Sequence, residues 1–239
     1  VSPTYWQNRS IYKIKATVDP HTKLLKGEAT ITYLNNTPDT VRNPTFHTYH
    51  DYYKPESKKA GFFSGGNAPD ANHKGVIIEK LVVDNETYDI NNRDEVFYGG
   101  TNYTVRLRKP LPPKSSMELK INWNYVIPGK GFERSGAIDS TSMFVGYWYP
   151  EMAVLDDIDL WDRIVYDAAT EFYHDYSDYE IELTVPDNFM VWASVAPSNP
   201  DEVYSSTIRE RLTKARASST PVNIFTEADF KKSSTKNAT

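Results

Sequence analysis

The stretch Tyr12-Lys13-Ile14-Lys15-Ala16-Thr17-Val18, followed by Asp19-Pro20-His21-Thr22 and then Gly27-Glu28-Ala29-Thr30-Ile31-Thr32-Tyr33, decides the fold class. Tyr12, Ile14, Ala16 and Val18 fall on one face of an extended chain and the lysines on the other. Ala29, Ile31 and Tyr33 repeat that pattern after the turn, with Leu24 to Lys26 read as a continuation of the loop. Period-two alternation on both sides of an Asp-Pro turn predicts a β-hairpin. Asn35-Asn36-Thr37-Pro38-Asp39 ends its second strand.

Working outward, Val76 to Val83 is an apolar run closed by Asp84-Asn85-Glu86 and followed by Thr87 to Ile90, which predicts a second hairpin. Tyr103, Val105 and Leu107 alternate, Pro110 to Pro113 turns the chain, and Met117, Leu119, Ile121, Trp123 and Tyr125 alternate again. The same rule predicts a third hairpin. Residues 55–75 are polar and read as a long surface loop. From Pro128 to Tyr179 the pattern is irregular and rich in aromatic residues, and an excursion with one or two short helical turns is expected. Alternation resumes at Ile181, Leu183 and Val185, and Asp187-Asn188 turns the chain into Phe189 to Ala193. Val203, Ile208, Leu212 and Ala215 have helical spacing, Pro221 stops the helix, and Val222 to Phe225 is a further strand. The expectation is a mainly β chain, a large twisted, mostly antiparallel sheet or β-sandwich with one or two short helices. Residues 1–230 form a single domain, and 231–239 form a polar tail or linker.

Composition agrees and excludes several function classes. Seventeen Tyr, ten Phe and five Trp suit pleated, half-buried surfaces, and fifteen Pro against eleven Gly imply rigid turns. A net charge of −5 disfavours nucleic acid as a partner, since phosphates are neutralised by Lys and Arg. No run approaches the ~18 apolar residues of a membrane span, and no hydrophobic signal region stands at the N-terminus. The absence of Cys removes disulfides, thiol nucleophiles and Cys-based zinc sites, and leaves the compartment open.

The five histidines bear on zinc. A two-His helical zinc site needs H-E-x-x-H, which does not occur. His47-x-x-His50-Asp51 is metal-like in composition, but residues three apart on a strand point to opposite faces. Geometry therefore favours two half-exposed histidines flanking Tyr49. Glu171-x-x-His174 with Asp175 has the spacing of a di-iron helix motif and lacks the second copy such sites need. Asp156, Asp157, Asp159 and Asp162 lack the Gly and terminal Glu of an EF-hand and read as a solvated acidic face. No G-x-S-x-G elbow occurs, and Gly65-Gly66 and Gly99-Gly100 lack the phosphate-loop Lys. Dispersed carboxylates for glycoside hydrolysis are a third, weaker reading. Catalytic and metal-binding residues are accordingly assigned to none of these positions.

An ordered set of motifs resembles the start of bacterial enzymes of the aminopeptidase N family. Tyr5-Trp6-Gln7-Asn8-Arg9, Asp19-Pro20, Leu25-Lys26-Gly27-Glu28 and Ile31-Thr32-Tyr33-Leu34-Asn35-Asn36 are followed by Phe46-His47-Thr48-Tyr49. Then come Trp148-Tyr149-Pro150-Glu151-Met152-Ala153-Val154, Tyr176-Ser177-Asp178-Tyr179-Glu180-Ile181 and Val191-Trp192-Ala193-Ser194. The set spans Tyr5 to about Phe230. The resemblance implies a saddle-shaped β domain that precedes a thermolysin-like catalytic domain. That catalytic domain, carrying zinc and the G-A-M-E-N residues, is the implied intramolecular partner, and peptide is the implied substrate of the whole enzyme. A periplasmic or cell-envelope location is implied as well. Relatives offer a Gln or Glu to the substrate amine just before the aromatic-Pro element. Here that neighbourhood is Thr141 to Tyr147, with no carboxylate or amide, so no such residue is carried over. Ser194-Val195-Ala196 also departs from the Thr-Gly of relatives.

Such a domain walls one side of a cleft, and aromatic side chains at its edge supply contact area. Phe144, Tyr147, Trp148, Tyr149, Trp161, Phe172 and Tyr173 are the candidate edge. Core packing beneath the excursion is the equally weighted alternative. A stand-alone β-sandwich module that binds peptide or carbohydrate is the alternative function.

Overall fold

A computed structural model describes residues 5–57, 73–129 and 134–230. Most of the expected loop over residues 55–75 and the expected tail over 231–239 lie outside the described residues. The chain divides into two units, Val1–Leu183 and Thr184–Thr239.

The first unit is built on the expected hairpin. β1 (Arg9–Asp19) and β2 (Leu24–Asn35) pair antiparallel with Tyr12 opposite Ile31 and Ile14 opposite Ala29. Leu24 to Lys26 belong to β2 and not to the turn. Leu25 is buried there, which supplies the reason to extend the ladder. Asp19 closes the turn by accepting from the His21 amide and the Thr22 hydroxyl.

The second hairpin, β4 (Ile77–Val83) and β5 (Glu86–Tyr88), also forms as expected. Asp84 and Asn85 both take positive φ, 48° and 67°, the geometry of a two-residue mirror-image turn. The third expected hairpin does not form. β8 (Ser115–Val126) runs antiparallel to β2 over its whole length and to β4 on its other side. With both ladders filled, it has no edge left for the strand before it. That strand, β7 (Asn102–Val105), joins another sheet, between β3 (Thr45–His47) and β6 (Val96–Gly99). Pro110 to Pro113 is thus a crossing between sheets.

The larger sheet has the order β12-β1-β2-β8-β4-β5, where β12 is Ser177–Thr184. The second has the order β11-β3-β7-β6, with β11 at Glu151–Met152, and β9 (Ser135–Ala137) with β10 (Met143–Val145) makes a two-stranded third. One buried cluster joins the first two: Tyr12, Ile31, Ile121 and Trp123 from one side meet Phe46, Val96, Val105 and Met152 from the other. Polar anchors cross the same interface. The Met152 amide donates to the Tyr12 hydroxyl (2.9 Å), and Trp123 Nε1–H donates to the Trp148 carbonyl (3.1 Å). On the edge strand β12, Asp178, Glu180 and Glu182 face Arg9, Lys13 and Lys15 of β1 as exposed ion pairs.

The aromatic excursion contains no helix among its described residues, contrary to the helical turns expected. Short strands alternate with reversals at Arg134, Tyr147, Leu160 and Ala168, all at positive φ. Each reversal breaks a helical repeat before a turn can close.

The second unit is helical. The spacing from Val203 to Ala215 forms two helices, α1 (Pro200–Val203) and α2 (Ser206–Ala217). They break at Tyr204, which is buried and donates its hydroxyl to the Val191 carbonyl (3.3 Å). The segments 189–193 and 222–225 are not strands. Trp192 stacks on Tyr204 and meets Phe225 edge-on (5.5 Å), so these residues pack as single side chains. α3 (Glu227–Phe230) follows. No described helix is long and apolar enough to cross a membrane.

Candidate binding site

The second sheet presents His47 at the end of β3, opposite Asn102 of β7 on one side and Glu151 of β11 on the other. β3 is three residues long and buried throughout, and a 3-10 helix, Tyr49–Tyr53, follows at once. That helix makes a second aromatic core of Tyr49, Tyr52, Tyr53 and Tyr166, against which Tyr147 and Phe172 pack. Tyr147 and Phe172 stack at 3.7 Å, and Tyr49 meets Phe172 edge-on at 4.5 Å. His47 stacks on Tyr49 at 4.9 Å.

His47 is 1% exposed, and its Nδ1 lies 2.7 Å from Asn102 Oδ1. Its Nε2 has no hydrogen-bond partner among the described residues, and Asp162 Oδ2 stands 3.7 Å away. Burial lowers the His47 pKa, against the Asn102 bond and the charges of Asp162 and Glu151, so the ring is neutral. His174 behaves oppositely. Burial pulls it down, but the 2.7 Å bond to Glu151 and that carboxylate's charge outweigh burial and raise its pKa.

A cavity of about 420 Å³ opens on this arrangement. Its walls include Tyr49, Trp161, Phe172 and Tyr173, and its polar lining includes Asp156, Asp159, Asp162 and Glu171. Arg163 is the one lining residue with a fixed positive charge. Glu171 is held by both guanidinium nitrogens of Arg134 (2.6 and 2.8 Å). Asp156 accepts from the Ile158 and Asp159 amides, which with the Tyr173 hydroxyl keep its pKa low.

The metal-like clusters of the sequence come apart. His47 and His50 are both buried, not half-exposed, because β3 and the 3-10 helix are packed on all sides. His50 bonds Ser135 (3.0 Å), while Asp51 accepts from Thr48 and the Val76 amide. Glu171, His174 and Asp175 turn to three partners, Arg134, Glu151 and Gln7. Among the described residues no group of three or more His, Asp or Glu could hold a metal ion.

The seven aromatic residues of the candidate edge also divide. Trp148, Tyr149 and Trp161 pack partly buried against the main core, and Tyr147 and Phe172 against the second. Phe144 and Tyr173 are exposed, at 58% and 51%. Trp161, Phe172 and Tyr173 meet at the cavity, and the others do not line it. His47, Asn102 and Asp162 come together from distant positions. No spacing in the sequence signals this, because the sheet register alone brings Asn102 to His47.

No protein-family model matches the chain, and no curated protein matches it. Among solved structures it is similar to an M1 zinc metallopeptidase from Deinococcus radiodurans. Identity is 13% over 76% of this chain and 33% of that one, with a TM-score of 0.39. It is similar also to a mutant M1 zinc metallopeptidase from Deinococcus radiodurans bound to a Tyr-Ser-Ala substrate, at 11% identity over 76% and 33% (TM-score 0.40). Legionella pneumophila aminopeptidase A in complex with aspartic acid matches 51% of this chain and 11% of its own, at 6% identity (TM-score 0.30). The chain spans between 22% and 34% of the length of the first three structures it matches.

Proposed function

We propose that this chain is a non-catalytic domain of a zinc-dependent, aminopeptidase-like metallopeptidase. It packs beside a catalytic domain that carries the zinc and walls one side of the peptide cleft, with 1–230 as its folded domain and 231–239 as linker. The observation that carries this reading is where its apolar surface lies. Ile138, Phe144, Ile158, Leu160, Ile164, Tyr173 and Tyr176 are all exposed, Ile158 at 83% and Tyr176 at 87%. With Tyr179 they make eight within the aromatic excursion, whereas the other seven large apolar residues exposed among the described residues, Tyr5, Ile77, Phe97, Val126, Trp192, Val195 and Val203, are scattered over the rest of the chain. Exposed apolar side chains concentrated in one segment mark an interaction surface. The ordered motifs between Tyr5 and Ser194 support the family assignment, and the exposure of Phe144 and Tyr173 supports their reading as edge residues that touch the partner.

The test is the coding sequence downstream of Thr239. An in-frame H-E-x-x-H with a distal Glu is expected, and the separately produced catalytic domain should bind this chain at micromolar concentration. A stop codon directly after Thr239 would sink the proposal. The aromatic-walled cavity favours a second reading, a stand-alone module for peptide or carbohydrate. A peptide and sugar panel tests it, since a ligand that binds only the native state raises the melting temperature.

A further inference from the structure

We propose that the cavity at His47 and Asp162 binds an organic cation bearing N–H donors, an alkylammonium or alkylguanidinium group on an apolar stem. The site is made of this chain's own residues and does not depend on a catalytic domain. Its chemistry starts at Asn102. The Asn102 Nδ2 donates to the Arg163 carbonyl (2.7 Å), which fixes the amide so that Oδ1 faces His47. Nδ1 of His47 therefore carries the proton, and Nε2 presents a lone pair.

That lone pair has no hydrogen-bond partner among the described residues. The atom facing it, Asp162 Oδ2 at 3.7 Å, is another acceptor. Asp162 uses its second oxygen on the Ile164 amide (3.0 Å). Two acceptors thus face one another with no donor between them. Tyr33 Oη, His50 Nδ1 and Tyr125 Oη are also buried without a hydrogen-bond partner among the described residues, but unlike them His47 lines the cavity, where an occupant can supply the donor.

The surroundings define that occupant. Asp156, Asp159 and Asp162 leave the cavity negative after Glu171 is matched by Arg134 and after Arg163 is counted. Tyr49, Trp161, Phe172 and Tyr173 give the cavity aromatic walls. Leu160 and Ile164, both exposed at the cavity lining, suit an apolar stem. The volume lies within the ~300–1,000 Å³ of small-molecule sites. An anion is excluded by charge. A metal ion lacks three ligands, and a lone water would satisfy the acceptors but leave the surplus charge.

Titration calorimetry and thermal shift on the full chain at low salt provide the test, with n-butylammonium, n-butylguanidinium, tetramethylammonium and n-butanol as probes. One or both N–H cations should bind and raise the melting temperature, while tetramethylammonium and butanol do neither. The stronger of the two tells a lysine-like or chain-terminal amine from an arginine-like group. Asp162→Asn keeps the acceptor for the Ile164 amide and turns an amide N–H toward Nε2. It should keep or raise the melting temperature and weaken binding at least ~10-fold, as loss of one member of a close charge pair does. Equal binding of tetramethylammonium or butanol, unchanged affinity in Asp162→Asn, or Zn²⁺ binding with both N–H cations inert would each overturn it.

Discussion

Gly27 lies in the middle of β2, directly opposite Trp123 of β8. A Cβ built at Gly27 would sit 2.3, 2.6 and 2.7 Å from Cζ2, Cη2 and Cε2 of the Trp123 ring. Carbon atoms in contact stay about 3.5–4.0 Å apart, so Gly27→Ala forces more than an ångström of movement on a ring with 0% exposure. Overpacking of this kind costs about 1–3 kcal/mol. Shifting the ring also strains the Nε1–H bond to the Trp148 carbonyl, and a buried donor left without its acceptor costs a further ~1–3 kcal/mol. Relief of the glycine's own strand penalty returns roughly 0.5–1 kcal/mol, for a net loss of about 1–5 kcal/mol. Urea unfolding followed by far-ultraviolet circular dichroism measures it. The diagnostic is a cycle with Trp123→Phe, which removes the ring atoms that clash. In that background Gly27→Ala should cost under ~1 kcal/mol, since residues in direct contact are not additive. The same loss in both backgrounds would refute the steric account.

Tyr12→Phe removes the acceptor of the Met152 amide and should cost about 1–3 kcal/mol; unchanged hydrogen-exchange protection at Met152 would contradict this. Burial, aided by His73, depresses the His50 pKa from 6.5 to about 3. The folded state thus refuses a proton that the unfolded chain accepts, and stability present above pH 6.5 is lost as pH falls toward 3. The His50 contribution to that loss is on the order of 5 kcal/mol. A stability–pH profile of His50→Phe should be flatter over that window, and an identical acid limb would rule the assignment out. At the β4–β5 turn, Asn85→Val should destabilise by roughly 1–2 kcal/mol because φ is positive there, while Asn85→Gly should not; equal melting temperatures for the two variants would contradict that account.

Alternation is a property of one strand at a time, which is why β1, β2, β4, β5 and β8 were legible and their partners only partly so. A short turn fixes the partner when it has the right chemistry, as Asp84-Asn85 does for β4 and β5. Pro110 to Pro113 breaks a strand equally well but does not say where the next one goes. β8 goes between β2 and β4 because Trp123, Ile121 and Leu119 bury fully there. Competition among all the strands decides that, and a local window cannot contain it. The excursion was opaque for a second reason. Its reversals stand on Arg134, Tyr147, Leu160 and Ala168, and no glycine marks these left-handed positions.

The candidate site shows the same limit in chemical form. The histidines drew attention because of their spacing to one another, yet His47 does its bonding with Asn102, a residue of no particular mark. A strand register places Asn102 beside it, and a backbone carbonyl of Arg163 orients the amide. The amide sets the imidazole tautomer, and the tautomer leaves Nε2 as an acceptor facing a carboxylate. Each step is local once the sheet exists and unreadable before it does. The site's ligand preference therefore follows from the register of a three-residue strand. A substitution such as Asn102→Leu, which roughly keeps the shape but removes both the acceptor for Nδ1 and the donor to Arg163, should free the ring to change tautomer. The expected result is a new ¹⁵N shift pattern for His47 with the sheet intact; an unaltered pattern would mean that something other than Asn102 holds the proton on Nδ1.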